Sequence, residues 1–218
     1  DIPMFRRRQG AFETNDAVAT VFRPSTGTWY LYFGANSQAI NWGLNGDIPV
    51  LADFTGDGSD DLTVFRPSTG KWYILLNQNT MAFQEVQFGL SGDKPVPADY
   101  DGDGRADIAV YRPSNGTWYI FNSTTLTATI TQFGASGDRP VPNDFDGDGR
   151  ADTAVFLFLF GVWDEQRSLG NQFFAQQFGA SGDIPQIMDY DGDGIGDLAV
   201  YRPTGGEWHF FQSSNSSY

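Results

Sequence analysis

A chain of 218 residues is long enough for one large domain or two small ones, and 40% hydrophobic with 16% aromatic residues supports a folded core. A formal charge of −14, from 27 acids against 13 bases, repels nucleic acid and anionic membrane and sets both aside as partners. Without cysteine there is neither a disulfide nor a thiolate metal site, and no apolar run approaches the roughly 20 residues of a membrane helix.

The chain opens on "DIPMFRRRQGAFETNDAVAT", with Asp1 in place of methionine, as expected of a processed protein or an excerpt. The next stretch, "VFRPSTGTWYLYFG", sets a pattern that then recurs: a short apolar strand, an R-P-S-x-G turn and a tryptophan-centred strand. Tryptophans stand at 29, 72, 118, 163 and 208, and a G-D-x-P turn recurs at Asp47, Asp93, Asp138 and Asp183, with "DIP" of Asp1 one step earlier. The units therefore run over about 1–46, 47–92, 93–137, 138–182 and 183–218, the last one strand short. Within the third unit, "DIAVYRP" reads as a strand buried on both faces, "TWYIFN" as the next and "TATITQFG" as an alternating third. "KPVPADY" precedes them, its prolines confining it to a sheet edge or a strand end. No segment holds helical periodicity beyond a turn or two. Units of about 45 residues with about four strands predict an all-β, five-unit β-propeller, read as one domain over 1–218.

Each repeat from the second onward carries an acidic cluster, starting at Asp53, Asp99, Asp144 and Asp189, with spacings of 46, 45 and 45 residues. Counted from its first aspartate, the second loop places carboxylates at positions 1, 3, 5 and 9 (Asp99, Asp101, Asp103, Asp107), glycine at position 6 (Gly104) and a backbone carbonyl at position 7 (Arg105). These are oxygen donors for a hard cation, with EF-hand-like spacing up to position 9. Position 12 is Val110 instead of a glutamate, so Asp107 has to close the site. Carboxylates about 4 Å apart repel by about 4 kcal/mol per pair at an effective dielectric near 20, which a cation relieves. Calcium fits this donor number better than magnesium. The third loop offers Asp144, Asp146, Asp148, Arg150 and Asp152, and the fourth Asp189, Asp191, Asp193, Ile195 and Asp197. The first has Thr55 at position 3 among Asp53, Asp57, Ser59 and Asp61, with Asp60 to spare, and is expected to bind most weakly. In the N-terminal unit the pattern is lost, and Arg6, Arg7 and Arg8 lie near where acids should be. About four calcium ions would bring −14 to about −6, so most of the acidity belongs to metal chemistry.

The D-x-D-G-D-G-x-x-D-[IL]-A-V motif, with a nearby F-G and a proline turn, resembles the FG-GAP (VCBS-type) repeats of integrin alpha subunits, and "VFRPSTGTWY" resembles their short bacterial versions. The resemblance spans nearly the whole chain. It implies a calcium-stabilised β-propeller of secreted or surface proteins that serves adhesion, ligand binding or display. The degenerate first loop and "FLFLFGVWDEQ" (156–166), which replaces the R-P-S-x-G turn, depart from the pattern.

The recurring tryptophans read as packing between blades rather than as sugar-stacking platforms. Arg23, Arg66, Arg112 and Arg202 read as partners of the G-D-x-P aspartates or of loop carbonyls rather than as an anion grip. "FLFLF" is either an apolar protein contact or a local repacking. Sequons at Asn115, Asn122 and Asn215 sit in turn-like contexts. The single histidine, His209, leaves no nucleophile–histidine system on another His, and no phosphate loop or G-x-S-x-G is present, so no enzyme is expected. The expectation is an extracellular binding or adhesion module with a protein or glycan ligand. The alternatives are a fibre or layer subunit that self-assembles by adding a strand at the short fifth unit, a lectin using the repeat tryptophans, and a propeller glycosidase.

Overall fold

The computed structural model describes residues 1–9 and 15–214, with the backbone alone at 7–9 and 15–17. The chain is all-β: five small antiparallel sheets are the blades of a five-bladed β-propeller, and a single 3-10 turn at Leu169–Asn171 is the helical exception among the described residues. It divides into two compact units, residues 1–97 with 104–110 and residues 98–103 with 111–218.

The first unit holds two complete blades. One is β1 (Ile2–Gln9), β2 (Asn15–Arg23), β3 (Thr28–Phe33) and β4 (Asn36–Asn41), hydrogen-bonded in that order. The other is β5 (Ile48–Ala52), β6 (Asp61–Arg66), β7 (Lys71–Asn77) and β8 (Ala82–Gln87), again in order. The third sheet comprises β9 (Lys94–Pro95), β10 (Ile108–Arg112), β11 (Thr117–Phe121) and β12 (Ala128–Gln132). In the second unit a blade of β13 (Arg139–Pro140), β14 (Thr153–Leu157), β15 (Val162–Gln166) and β16 (Phe173–Gln177) is followed by β17 (Ile184–Met188), β18 (Asp197–Arg202) and β19 (Glu207–Phe211).

Strand position within the blade follows from side-chain chemistry. The second strands are buried almost throughout, as in "DLTVF" of β6 and "TAVF" of β14, because these apolar residues face neighbours on both sides. The fourth strands β8, β12 and β16 are mostly exposed, mixing polar residues with exposed apolar ones such as Phe83, Ile130 and Phe173. Each first strand lies at a sheet edge, so its proline need donate no ladder bond: Pro49 stands opposite Val64 and Pro185 opposite Val200. The expectation for the "KPVP"-type segments holds.

Four tryptophans, Trp29, Trp72, Trp118 and Trp163, are fully buried. Each ring tilts against the aromatic of the second strand (Phe22, Phe65, Tyr111, Phe156) at centroid distances of 5.0–5.3 Å. Each indole Nε1 donates to the backbone just past the fourth strand, on the carbonyls of Trp42, Phe88, Phe133 and Phe178, at 2.7–2.8 Å. Truncation of a ring so placed costs about 3–5 kcal/mol. The turn before it needs glycine: Gly70 has φ +67°, and a Cβ there would stand 2.1 Å from the Gly89 carbonyl oxygen. These tryptophans are core, as the sequence implied for them.

Candidate metal centres

Each acidic loop folds around its own carboxylates. In the loop at 144–152, Asp144 Oδ1 accepts from the Gly147 N–H at 2.6 Å and Oδ2 from Gly149 at 2.8 Å. Asp152 accepts from Phe145 at 2.9 Å and, with its other oxygen, from Ser168 at 2.6 Å. The loop at 189–197 repeats this scheme: Asp189 holds Gly192 and Gly194, and Asp197 holds Tyr190 and Ser213. Positions 4 and 6 are both left-handed, with φ +76° at Gly147 and +84° at Gly149, so both require glycine and the sequence had singled out only the second.

Three groups of aspartates bring carboxylate oxygens within 4.8 Å of one another and could hold a metal ion: Asp144, Asp146 and Asp152; Asp189, Asp191 and Asp197; and, in the continuous 99–107 loop, Asp99, Asp101 and Asp107. Positions 1, 3 and 9 are thus assembled. The position-5 carboxylates are engaged elsewhere, on hydroxyls 20 residues along the chain. Ser123 donates to Asp103 at 2.7 Å, Ser168 to Asp148 at 2.8 Å and Ser213 to Asp193 at 2.9 Å. The same turn reaches the position-3 carboxylate, through the Thr124 N–H to Asp101, the Leu169 N–H to Asp146 and the Ser214 hydroxyl to Asp191. A serine-bearing turn after the third strand therefore latches each loop. Sequence reasoning missed it, although a serine recurring 20 residues after position 5 is visible in "FNST", "QRSL" and "FQSS".

Position 7 has a second task. A Cβ on Gly56 would lie 3.0 Å from the Arg105 side chain, one on Gly102 3.1 Å from Arg150 and one on Gly147 3.2 Å from Ile195. The side chain of one loop thus covers the position-4 glycine of the preceding loop. The backbone ties the same pairs together: Ala106 N–H donates to the Asp53 carbonyl at 2.7 Å, Ala151 to Asp99 at 2.7 Å and Gly196 to Asp144 at 2.6 Å.

The donor sets fit a hard cation. Every candidate ligand atom is oxygen, and Asp101 Oδ1 is a buried carboxylate oxygen with no hydrogen-bond partner. Burial, followed by the Asp146 charge among the raising causes, pushes the Asp152 carboxyl above the ordinary range, even though Ser168 and Phe145 N–H groups counteract it. Carboxylates crowded in this way are stabilised as anions by a cation between them.

The first loop differs. Asp53 organises it in the common way, accepting from Gly56 at 2.6 Å and Gly58 at 2.7 Å, and Asp61 accepts from Phe54 and Thr55. Among the described residues no group of three carboxylates includes Asp53, Asp57 or Asp61. Thr55 removes the position-3 acid, and its hydroxyl faces Asp53 at 3.4 Å. Asp57 Oδ1 accepts from Ser59 N–H at 2.8 Å. At the latch place stands Asn77, whose Oδ1 is spent on its own turn, on Asn79 and Thr80 N–H. Burial, then the charges of Asp57 and Asp53 among the raising causes, carries the Asp61 carboxyl up to about 6. Arg6, nine-tenths buried, donates from Nε to the Asp60 carbonyl at 2.6 Å. The side chains of Arg7 and Arg8 lie outside the described residues.

The arginine reading holds where it can be followed. Arg66 grips Asp47 through two bonds of 2.8 Å, Arg202 grips Asp183 at 2.8 and 3.0 Å, and Arg23 grips Asp1 at 2.9 Å. Arg112 donates to the Tyr119 hydroxyl at 2.9 Å. In "FLFLF", Phe156 takes the buried place beside Trp163, while Leu159 and Phe160 at the turn tip are 68% and 66% exposed. Arg139 stacks over Phe158 at 4.1 Å. The stretch is thus repacked at its start and exposed at its tip. The fifth tryptophan departs from the others: Trp208 is 51% exposed and stacks beside Phe210, in a sheet of three strands among the described residues. Asn115 is exposed in its turn and Asn122 half-buried, while Asn215 lies outside the described residues.

A family model of the FG-GAP-like repeat matches residues 53–110 and again 99–155, the stretch that carries the first three acidic loops. Residues 53–155 are FG-GAP-like repeats. The fourth loop, at 189–197, lies outside the matched residues and shares the geometry of the third. No curated protein matches the chain in sequence. Among solved structures, the chain is similar to BBS1N, crystallised in complex with ARL6DN, at 15% identity and TM-score 0.61, over 96% of this chain and 65% of that one. It is similar to virginiamycin B lyase from Staphylococcus aureus at 8% identity and TM-score 0.58, over 91% of this chain and 67% of that one. TolB from Acinetobacter baumannii follows at 13% identity and TM-score 0.54, over 89% and 52%. The chain thus spans about half to two thirds of these proteins, and at such identities the likeness is one of fold alone.

Proposed function

We propose that this chain is a non-catalytic binding module of the extracellular space, held in shape by calcium and used in adhesion or ligand display. The observation that carries this reading is the repeated convergence of three aspartates within 4.8 Å, in loops whose position-5 carboxylate is held aside by a serine hydroxyl. Positions 1, 3 and 9 would hold the ion, with the position-7 carbonyls of Arg105, Arg150 and Ile195 as further oxygen donors. Asp103, Asp148 and Asp193 are left to the serine latch. Calcium supplies charge neutralisation and crosslinks the loop to the start of the following strand. Oxygen sites of extracellular type bind with dissociation constants of about 10⁻⁴–10⁻³ M, which extracellular calcium fills. The FG-GAP-like family and the single, partly exposed histidine both favour binding over catalysis.

At a calcium concentration of about ten times the dissociation constant, each site contributes about 1.4 kcal/mol of stability. Three sites together give about 4 kcal/mol, which for a chain of this size is a rise of about 10 °C in Tm. Thermal unfolding followed by circular dichroism, in millimolar calcium and in chelator, should show that difference. Superimposable melts would overturn the reading.

A further inference from the structure

Repeats three and four meet their successors in comparable clefts, but the floor differs. Two residues beyond the buried tryptophan the first three repeats carry Leu31, Ile74 and Ile120, all buried, and the fifth carries Phe210. The fourth carries Glu165, which is 4% exposed. Burying a carboxylate costs several kcal/mol unless it is paired, and an aliphatic residue at the same place costs nothing. The pairing is partial: Arg167 Nε donates to Glu165 Oε2 at 2.9 Å, while the guanidinium lies 3.8 Å over the Phe174 ring. Among the described residues, Glu165 Oε1 and the two terminal nitrogens of Arg167 make no hydrogen bond.

This pair opens on a cleft of about 390 Å³, also lined by Phe145, Phe174, Phe211 and Ser213. The volume lies in the range of small-molecule sites, about 300–1,000 Å³. The neighbouring cleft, about 260 Å³, is also reached by Arg167 but has Ile120 at the equivalent position and no carboxylate in its lining, so it presents no such pair. The ligand class follows from what is left unsatisfied. One carboxylate oxygen accepts, two guanidinium nitrogens donate, and the charges of this pair cancel; the further carboxylate in the lining, Asp146, belongs to the candidate metal centre, where a bound cation would neutralise it. A neutral molecule with adjacent groups that both donate and accept fits this better than an anion or a cation does. The phenylalanine wall requires that the same molecule have an apolar face.

We propose that the cleft beside Glu165 and Arg167 binds a neutral carbohydrate ring. Two neighbouring hydroxyls bridge the Glu165–Arg167 pair, and the C–H face of the ring rests on the phenylalanines. This names the ligand class of the binding module proposed above and rests on that reading. It also moves the sugar contact away from the repeat tryptophans, four of which are buried.

The experiment is saturation-transfer NMR on the whole chain in millimolar calcium, with glucose, galactose, mannose and N-acetylglucosamine as separate probes, and glucuronate and glucosamine as charged counterparts. At least one neutral sugar should receive saturation and outcompete its charged counterpart. Glu165→Ile, the residue of the second and third repeats, should lose the signal at least tenfold while melting no lower than the parent. Glu165→Gln, which keeps the shape and removes the charge, should weaken it as well. If no neutral sugar receives saturation, or a charged sugar binds better, the assignment fails. If Glu165→Ile binds as the parent does, the cleft is not the site, yet a binding module with its site elsewhere survives. The calcium melts decide that reading separately.

Discussion

The loops at 53–61 and 144–152 share chain geometry, yet only the second brings three carboxylates together. Both use the position-1 aspartate to bind the N–H groups of positions 4 and 6, and both use the position-9 aspartate to bind the N–H of position 2. The difference lies in two side chains. Thr55 stands where Asp146 stands, and Asn77 stands where Ser168 latches Asp148. The fold of such a loop is therefore a backbone and glycine property, while its capacity for metal is set by one acid and by a distant turn. Arg6 against the Asp60 carbonyl adds a cation's worth of contact to the first loop.

The largest effect that separates the two loops should come from Asp152→Ala against Asp61→Ala. Each leaves two backbone N–H groups without an acceptor, Phe145 and Ser168 for Asp152 and Phe54 and Thr55 for Asp61, at about 1–3 kcal/mol apiece. Only the first should also forfeit a calcium site, about 1.4 kcal/mol more in millimolar calcium. Denaturant melts should therefore separate the two variants in calcium and bring them closer together in chelator. Equal spacing under both conditions would dissolve the distinction.

A graft sharpens the comparison. The double substitution Thr55→Asp with Asn77→Ser installs the missing acid and the latch in the first loop. Calorimetric titration should then find one more calcium equivalent than in the parent, with about 1.4 kcal/mol of added stability at ten times the dissociation constant. Thr55→Asp alone should bind more weakly, because no hydroxyl then holds Asp57 aside. An unchanged stoichiometry in the double variant would mean that Arg6 or the local backbone, not these two side chains, disables the loop.

The third test is one of pH. Asp61 has a folded-state value of about 6 against 3.8 for the free side chain, raised first by burial. Between those values the folded chain keeps a proton that the unfolded chain has released. Its contribution is therefore most favourable below about pH 4 and falls as pH rises through 6, by at most about 1.4 kcal/mol per pH unit. In calcium-free buffer, Asp61→Asn should flatten that part of the Tm–pH curve relative to the parent. A curve parallel to the parent's between pH 4 and 6 would show the carboxyl to be ionised throughout.

Much of this molecule can be read from its sequence, because a repeat states its own rules several times. The 45-residue period, the strand order within a repeat, the prolines at sheet edges and the tryptophan core all follow from residue type and spacing. So do the Arg66–Asp47 and Arg202–Asp183 pairs and, of the carboxylates expected together at positions 1, 3, 5 and 9, the convergence of 1, 3 and 9, since a nine-residue loop is short enough for spacing to constrain geometry; position 5 is instead held by a serine. Tertiary structure decided what approaches each loop from elsewhere. The serine latch arrives from 20 residues away, and the position-7 side chain arrives from the next repeat to cover a glycine. The recurrence of the serine is visible in the repeat, but its contact with the loop is not. The same holds for Glu165: in sequence it is one charged residue in "WDEQ", and only packing turns it into a carboxylate buried at the floor of a cleft, where leaving it unpaired would be costly.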